Sequence, residues 1–283
     1  MGAVPRPHGE LPIAVFDSGV GGLTVLHECL VSLPHEDFVY LGDTARFPYG
    51  PRSREELETF ALELARILLA DGAKLLVVAC NSATAAALPT LRRELGGEVG
   101  IVSVIGPESR LAARATRNGE VGLLATQATV VSGAYADALA EANRDARLHP
   151  VPCPELAPLI QAGGEVDARV VAQVEAYCDP LREADVDTVI LGCTHYPLVK
   201  PMLQRGLGRG VKIVTSGQAI ADEVEVALRQ RGLERDDDRR GDYRFLCSAD
   251  PDSFRAVGTR FLQLPMGEVR HVDVAPPPKA AVA

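Results

Sequence analysis

The sequence has no tryptophan, and aromatic residues make up only 5% of its 283 positions. With 47% hydrophobic residues, the core must be built from Ala, Val, Leu and Ile. Such side chains suit buried parallel sheets covered by helices. An excess of basic residues is also missing: the formal net charge is −9 and the pI is near 5.2. That balance argues against nucleic acid or an anionic membrane as partner, although a cleft can still receive an anion. No apolar run reaches the roughly 18 residues of a membrane span. Residues 1–12 are Pro-rich and contain no apolar signal core, so the cytoplasm is the expected location. The six cysteines (29, 80, 153, 178, 193 and 247) include no CxxC pair, which speaks against a zinc knuckle or a thioredoxin-type site. In a reducing compartment they are free thiols, and the default role of each is a small buried hydrophobe. Gly19-Val-Gly-Gly22 departs from G-x-G-x-x-G, and no GK[ST] follows, so a nucleotide-phosphate loop is not indicated. The glycines there better suit close packing and anion contacts at a helix start.

Strand and helix signals alternate along the chain. Apolar runs at 13–16, 75–79, 99–104, 121–125, 188–192 and 211–214 have strand length, and 37–42 and 243–247 are further candidates. Between them lie helical patterns. Ser53 with Glu56 has capping-box spacing, and Leu57, Phe60, Ala61, Leu64, Ile67 and Leu68 share one face before Gly72 ends the helix. Ser216 is a candidate cap for a helix with Ile220, Val224, Ala227 and Leu228 on one face. This alternation predicts an α/β fold with largely parallel sheets. An internal echo adds detail. A strand ending at the polar Asp17-Ser18 is followed by a strand tipped by Cys80. A strand ending at Thr126 is followed, after a similar interval, by a strand tipped by Cys193. Two lobes of like construction are expected: residues 11–104 with 215–265, and residues 105–214. Residues 1–10 and 275–283 are expected to be disordered tails.

Ligands of open α/β sheets bind beyond the carboxyl ends of strands. Four strand-to-loop junctions there are rich in polar groups: Asp17-Ser18-Gly19, Gly42-Asp43-Thr44 with Pro48-Tyr49-Gly50, Cys80-Asn81-Ser82, and Cys193-Thr194-His195. Each alone is also an ordinary cap or turn. Cys80 and Cys193 both follow an apolar strand and precede a helix, where the positive end of the dipole favours thiolate. His195 is a nearby partner for Cys193. A thiol's ordinary pKa of about 8.5 lies within reach of neutrality, given such neighbours.

These residues resemble the cofactor-independent aspartate/glutamate racemases, and most closely their glutamate branch. The resemblance rests on VFDSGVGGLTVL (15–26), YLGDTARFPYG (40–50), VVACNSATA (77–85), LLATQATVVSGAY (123–135) and LGCTHYPL (191–198). It implies two similar α/β lobes related by a pseudo-twofold axis, with the active site in the cleft between them. It implies L- and D-glutamate as substrates, no cofactor, no metal, and a homodimer. It further implies D-glutamate supply for peptidoglycan. Cys80 and Cys193 are implied as opposed acid and base, Cys80 acting on D-glutamate and Cys193 on L-glutamate. Asp17 and His195 are implied as their partners. Asp17, Ser18, Tyr49, Gly50, Asn81, Ser82, Thr194 and His195 are implied as substrate contacts. Chemically, removing and replacing an α-proton on opposite faces calls for two such groups, and the carbanion calls for fixed donors around the α-carboxylate, with Asn81, Ser82, Ser18 and Thr194 as candidates. Two positions depart from the family pattern: Ser82 replaces the usual threonine, and Gln161 stands where an acidic residue is common. Three other readings of the residues are a racemase for another acidic amino acid, a Cys–His hydrolase on Cys193 and His195, and a ligand-binding module without turnover.

Overall fold

The predicted alternation closes into two parallel sheets in a computed structural model that describes residues 8–163 and 168–276. The first sheet contains β1 (Ile13–Asp17), β2 (Phe38–Gly42), β3 (Leu75–Val78), β4 (Gly100–Ser103), β9 (Tyr243–Cys247) and β10 (Val269–His271), in the order β10-β9-β2-β1-β3-β4. The second contains β5 (Glu120–Ala125), β6 (Arg147–Pro152), β7 (Thr188–Gly192) and β8 (Lys212–Val214), in the order β6-β5-β7-β8. Within β2-β1-β3-β4 and β6-β5-β7-β8 the chain follows one plan: the first strand lies inside, the second goes to one side, and the third and fourth go to the other. Asp17 and Ala125 thus end corresponding strands, and Cys80 and Cys193 follow corresponding strands. All pairings are parallel.

Central strands are buried on both faces, which is why they read as continuous apolar runs rather than alternating ones. The helix Arg54–Ala70 shows how local sequence sets an element. Ser53 Oγ accepts from the Glu56 N–H at 3.2 Å, and Glu56 accepts from the Ser53 N–H at 2.9 Å. Leu57, Phe60, Ala61, Leu64 and Leu68 are buried, while Ile67 is half-buried at the margin. Gly72 follows in the left-handed region at φ 82°, the conformation glycine adopts without strain.

Several elements differ from expectation. The edge strand β6 was not predicted, because Pro150 and Pro152 and its largely exposed surface disguise it. The three-residue β10 and the helix Pro251–Leu262 were also unforeseen, although Asp250 caps that helix by accepting from the Ser253 N–H at 2.8 Å. Thr215, not Ser216, occupies the N-cap of the helix Ser216–Arg231, and Ser216 is buried inside its first turn. Residues 8–10, expected within a tail, form a 3-10 turn whose Gly9 carbonyl accepts from the buried Lys74 ammonium at 2.7 Å. Ala275 donates its N–H to Glu63 at 2.7 Å. The remaining tail expectations, for 1–7 and 277–283, lie outside the described residues. No helix among the described residues is long and apolar enough to cross a membrane.

Candidate active site

The carboxyl ends of β1, β2, β3, β5 and β7 deliver their following residues to one cavity between the sheets. Ser18, Tyr49, Gly50, Cys80, Asn81 and Ser82 line it from the first sheet, and Cys193, Thr194 and His195 from the second. Its free volume is about 20 Å³, room for about one water molecule. Asp17 does not reach the wall. It is fully buried behind it, accepting from the Gly19 N–H at 3.0 Å and from the Thr194 hydroxyl at 3.3 Å.

Each wall residue is fixed by its own support. Tyr49 donates to Asp43 at 2.5 Å, and Asp43 also accepts from Arg46 at 2.6 Å and Ser248 at 2.7 Å. Arg46 is fully buried, 4.2 Å above the Phe60 ring. Gly50 accepts from the Ala128 N–H at 3.0 Å, which brings the loop against the second sheet. Ser82 lies 2.8 Å from the Thr126 hydroxyl and 3.3 Å from that of Thr129. Gly21 needs its missing side chain, since a Cβ there would come within 2.3 Å of both His195 Nδ1 and Thr194 Oγ1. The glycine-rich loop is therefore a packing device.

Cys80 is the N-cap of the helix Asn81–Leu95, its sulfur accepting from the Ala83 N–H at 3.5 Å. Cys193 Sγ lies 3.9 Å from His195 Nδ1. His195 Nε2 sits 2.9 Å from Gln161 Oε1. With that oxygen as acceptor, Nε2 carries the imidazole hydrogen, and Nδ1 turns its lone pair to the Cys193 thiol. Phe47 stacks on the ring and Phe261 meets it edge-on. Burial holds the His195 pKa down at about 3, so the ring is neutral at working pH.

The expectation that both thiols are drawn towards neutrality is reversed by burial. Desolvation, followed by the Asp17 charge, pushes Cys80 up to about 12, against the opposing pull of the Ala83 N–H and Ser18. Desolvation likewise raises Cys193 well above its ordinary value, and the charge of Cys80 adds to this. Asp17 itself is raised by burial. A helix N-terminus does less for a thiol than complete removal from water undoes.

Asn81, expected among the donors to a carboxylate, gives its amide hydrogens elsewhere: to Glu108 at 3.1 Å and to the Tyr135 hydroxyl at 2.7 Å. Gln161, Glu108, Tyr135 and Phe47 were not predicted in these roles. TARFPYG placed Phe47 beside Tyr49, but the Glu108 and Tyr135 contacts arise only when the sheets meet. Cys29, Cys153, Cys178 and Cys247 are buried elsewhere as ordinary free thiols. No group of three or more His, Cys, Asp or Glu among the described residues is placed to hold a metal ion.

Residues 24–224 match the family model described as Asp/Glu/Hydantoin racemase. The chain belongs to that family. A glutamate racemase from Beutenbergia cavernae is 45% identical over 263 residues, covering 89% of this chain and 90% of that protein. The crystal structure of a glutamate racemase from Bacillus anthracis superposes with a TM-score of 0.90 at 38% identity, covering 95% of this chain and 99% of the other. A glutamate racemase from Francisella tularensis, crystallised in complex with D-glutamate, gives a TM-score of 0.87 at 32% identity, covering 94% and 98%. The chain is thus an amino-acid racemase of this family, with the family's two-sheet α/β architecture.

Proposed function

We propose that this protein interconverts L- and D-glutamate by proton transfer between Cys80 and Cys193, without a cofactor. The observation that carries the reading is the placement of two cysteines at corresponding positions of two like sheets, both lining one cavity, one from each sheet. The high similarity to glutamate racemases supports glutamate over another acidic amino acid.

In this reading the α-carbon sits between the sulfurs. One thiolate removes the α-proton while the opposite thiol delivers another, and the reverse reaction exchanges their roles. The buried thiols resist ionising alone, so the incoming α-ammonium has electrostatic work to do: a cation close to a sulfur favours thiolate. Neutral His195, with Nδ1 facing Cys193, accepts a hydrogen bond from that thiol and orients it without taking its proton. Asp17, tied to Gly19 and Thr194, makes no direct hydrogen bond to Cys80, and its charge favours the thiol form that delivers a proton. The α-carboxylate is received by the start of the helix Asn81–Leu95 and by the Ser82, Thr126 and Thr194 hydroxyls, which stabilise the growing negative charge. Ser82 keeps the hydroxyl of the usual threonine and so keeps this contact. Because the free volume is far smaller than glutamate, the two walls separate to admit substrate and close to exclude water.

Circular dichroism of L-glutamate with the purified protein and no added cofactor tests this reading. The signal should decay to zero, since the enantiomers are equal in free energy. A constant signal, or decay only with another amino acid, overturns the assignment. The same reading carries a cytoplasmic homodimer supplying D-glutamate for peptidoglycan. Depletion in a host without another source should create a D-glutamate requirement.

A further inference from the structure

Behind the cavity wall lies a buried carboxyl that the proton transfer does not use. Glu108, in the helix Ile105–Ala115, is wholly buried. Its Oε2 accepts from the Tyr135 hydroxyl and from the Asn81 amide. The Ser216 hydroxyl also acts on the carboxyl, and no cation is among the groups acting on it from the described residues. Tyr135 is the one titratable group among its partners; Asn81 and Ser216 are neutral. A carboxyl without a cation is costly to bury, and an apolar side chain would fill the place at less expense.

The network fixes the direction of one amide. Asn81 has two N–H donors and one carbonyl acceptor. Tyr135 spends its hydrogen on Glu108, so its oxygen is left to accept from Asn81. Turning the amide around would set its carbonyl against the Glu108 and Tyr135 oxygens and remove both of these hydrogen bonds. Both hydrogens therefore face away from the cavity. The Asn81 carbonyl oxygen is buried, has no hydrogen-bond partner, and belongs to a residue of the cavity wall.

We infer that Glu108 is a positioning residue that turns the Asn81 carbonyl into the cleft, where it receives the α-ammonium of the substrate. The inference rests on the glutamate reading, because glutamate near neutrality has two carboxylates and a single donor group, the ammonium. Asn81 then places the cation next to Cys80, its neighbour in sequence. Burial holds the Glu108 carboxyl up at about 8. Oε2 remains an acceptor in either protonation state when the proton rides on the other oxygen.

The test combines side-chain amide exchange, kinetics and binding on the full chain. In the wild type, the Asn81 amide protons, assigned in nitrogen-15 spectra by their loss in Asn81→Ala, should be protected from exchange. In Glu108→Leu they should exchange at least about tenfold faster. Losing the oriented acceptor removes a charged hydrogen bond, so KM for both glutamate enantiomers should rise about ten- to hundredfold. Because the ammonium held by that acceptor also favours the thiolate, kcat should fall too, but by less than KM rises. Glu108→Gln keeps an acceptor oxygen and should bring KM back to within about threefold of wild type. Binding of glutarate, which lacks the ammonium, should not change in Glu108→Leu. Rapid amide exchange in the wild type overturns the inference, and it decides the matter even if Glu108→Leu fails to fold. Equal weakening of glutamate and glutarate, or no rescue by Gln, also overturns it. A wild type that does not racemise glutamate defeats the racemase reading instead, while amide exchange still judges the orientation of Asn81.

Discussion

Gln161→Glu should convert a neutral His195 into one that titrates near neutrality. In the wild type, Nε2 faces a neutral amide oxygen at 2.9 Å, and burial keeps the imidazolium pKa at about 3. A carboxylate in the same place puts a negative charge roughly 4 Å from the imidazolium centre. At an effective dielectric constant of about 20, that attraction is worth about 4 kcal/mol, or about three pKa units. Arg260, which donates to the Gln161 main-chain carbonyl at 3.1 Å, draws off part of the effect. A rise of about two to three units is expected, to between about 5 and 6. The direct assay follows the His195 ring C–H signals by proton NMR against pH, assigned by comparison with His195→Gln. The kinetic counterpart is a new acidic limb in kcat/KM, equal for the two enantiomers because their equilibrium constant is one, and no such limb for the wild type. A wild-type His195 already titrating near 6 would refute the reasoning, as would a Gln161→Glu ring that stays neutral down to pH 4.

Two further outcomes follow from other parts of the structure. His195 and Glu108 impose opposite pH slopes on stability. The folded His195 pKa of about 3 lies below its ordinary 6.5, so its contribution is present above 6.5 and lost as pH falls. The folded Glu108 pKa of about 8 lies above its ordinary 4.5, so its contribution is present below 4.5 and lost as pH rises towards 8, at up to about 1.4 kcal/mol per unit. Urea titrations of Glu108→Leu against wild type should therefore show a stability difference that grows in the variant's favour from pH 5 to 8; a constant difference contradicts the buried-carboxyl account. Gly21→Ala should lower kcat/KM by about 100-fold, because its methyl displaces His195 and Thr194 and misplacement by about 1 Å costs that much. Gly97→Ala, with no atom within 4 Å of the added carbon, should leave kcat/KM unchanged, and steady-state kinetics of the pair checks the contrast.

The parts of the fold carried by local pattern were legible in the chain. The buried strands β1, β3, β5 and β7 announce themselves as apolar runs, and Ser53 with Glu56 announces its helix. Most of the cavity wall was legible as well, because a parallel α/β sheet presents its strand ends together, and the polar residues after those ends are consecutive in sequence. What depended on tertiary contact was not. Glu108 looks like any first-turn glutamate until Tyr135 and Asn81 close over it. The thiols looked acidic because a helix start is visible in sequence, whereas the desolvation that outweighs it is a property of the assembled cleft. β6 was hidden by its prolines, which an edge strand tolerates and a central one does not.

The two-thiol exchange is tested most directly by proton NMR of each glutamate enantiomer in D₂O with Cys80→Ala and Cys193→Ala, after each is shown to fold. Both variants should lose net racemisation by at least about 10² to 10⁴-fold, the usual worth of one acid–base group. Each should keep slow exchange at one face. Cys193→Ala, retaining Cys80, should place deuterium at the α-carbon of D-glutamate. Cys80→Ala, retaining Cys193, should do so with L-glutamate. The opposite preference would exchange the faces while keeping the mechanism. Racemisation near the wild-type rate in either variant would contradict it.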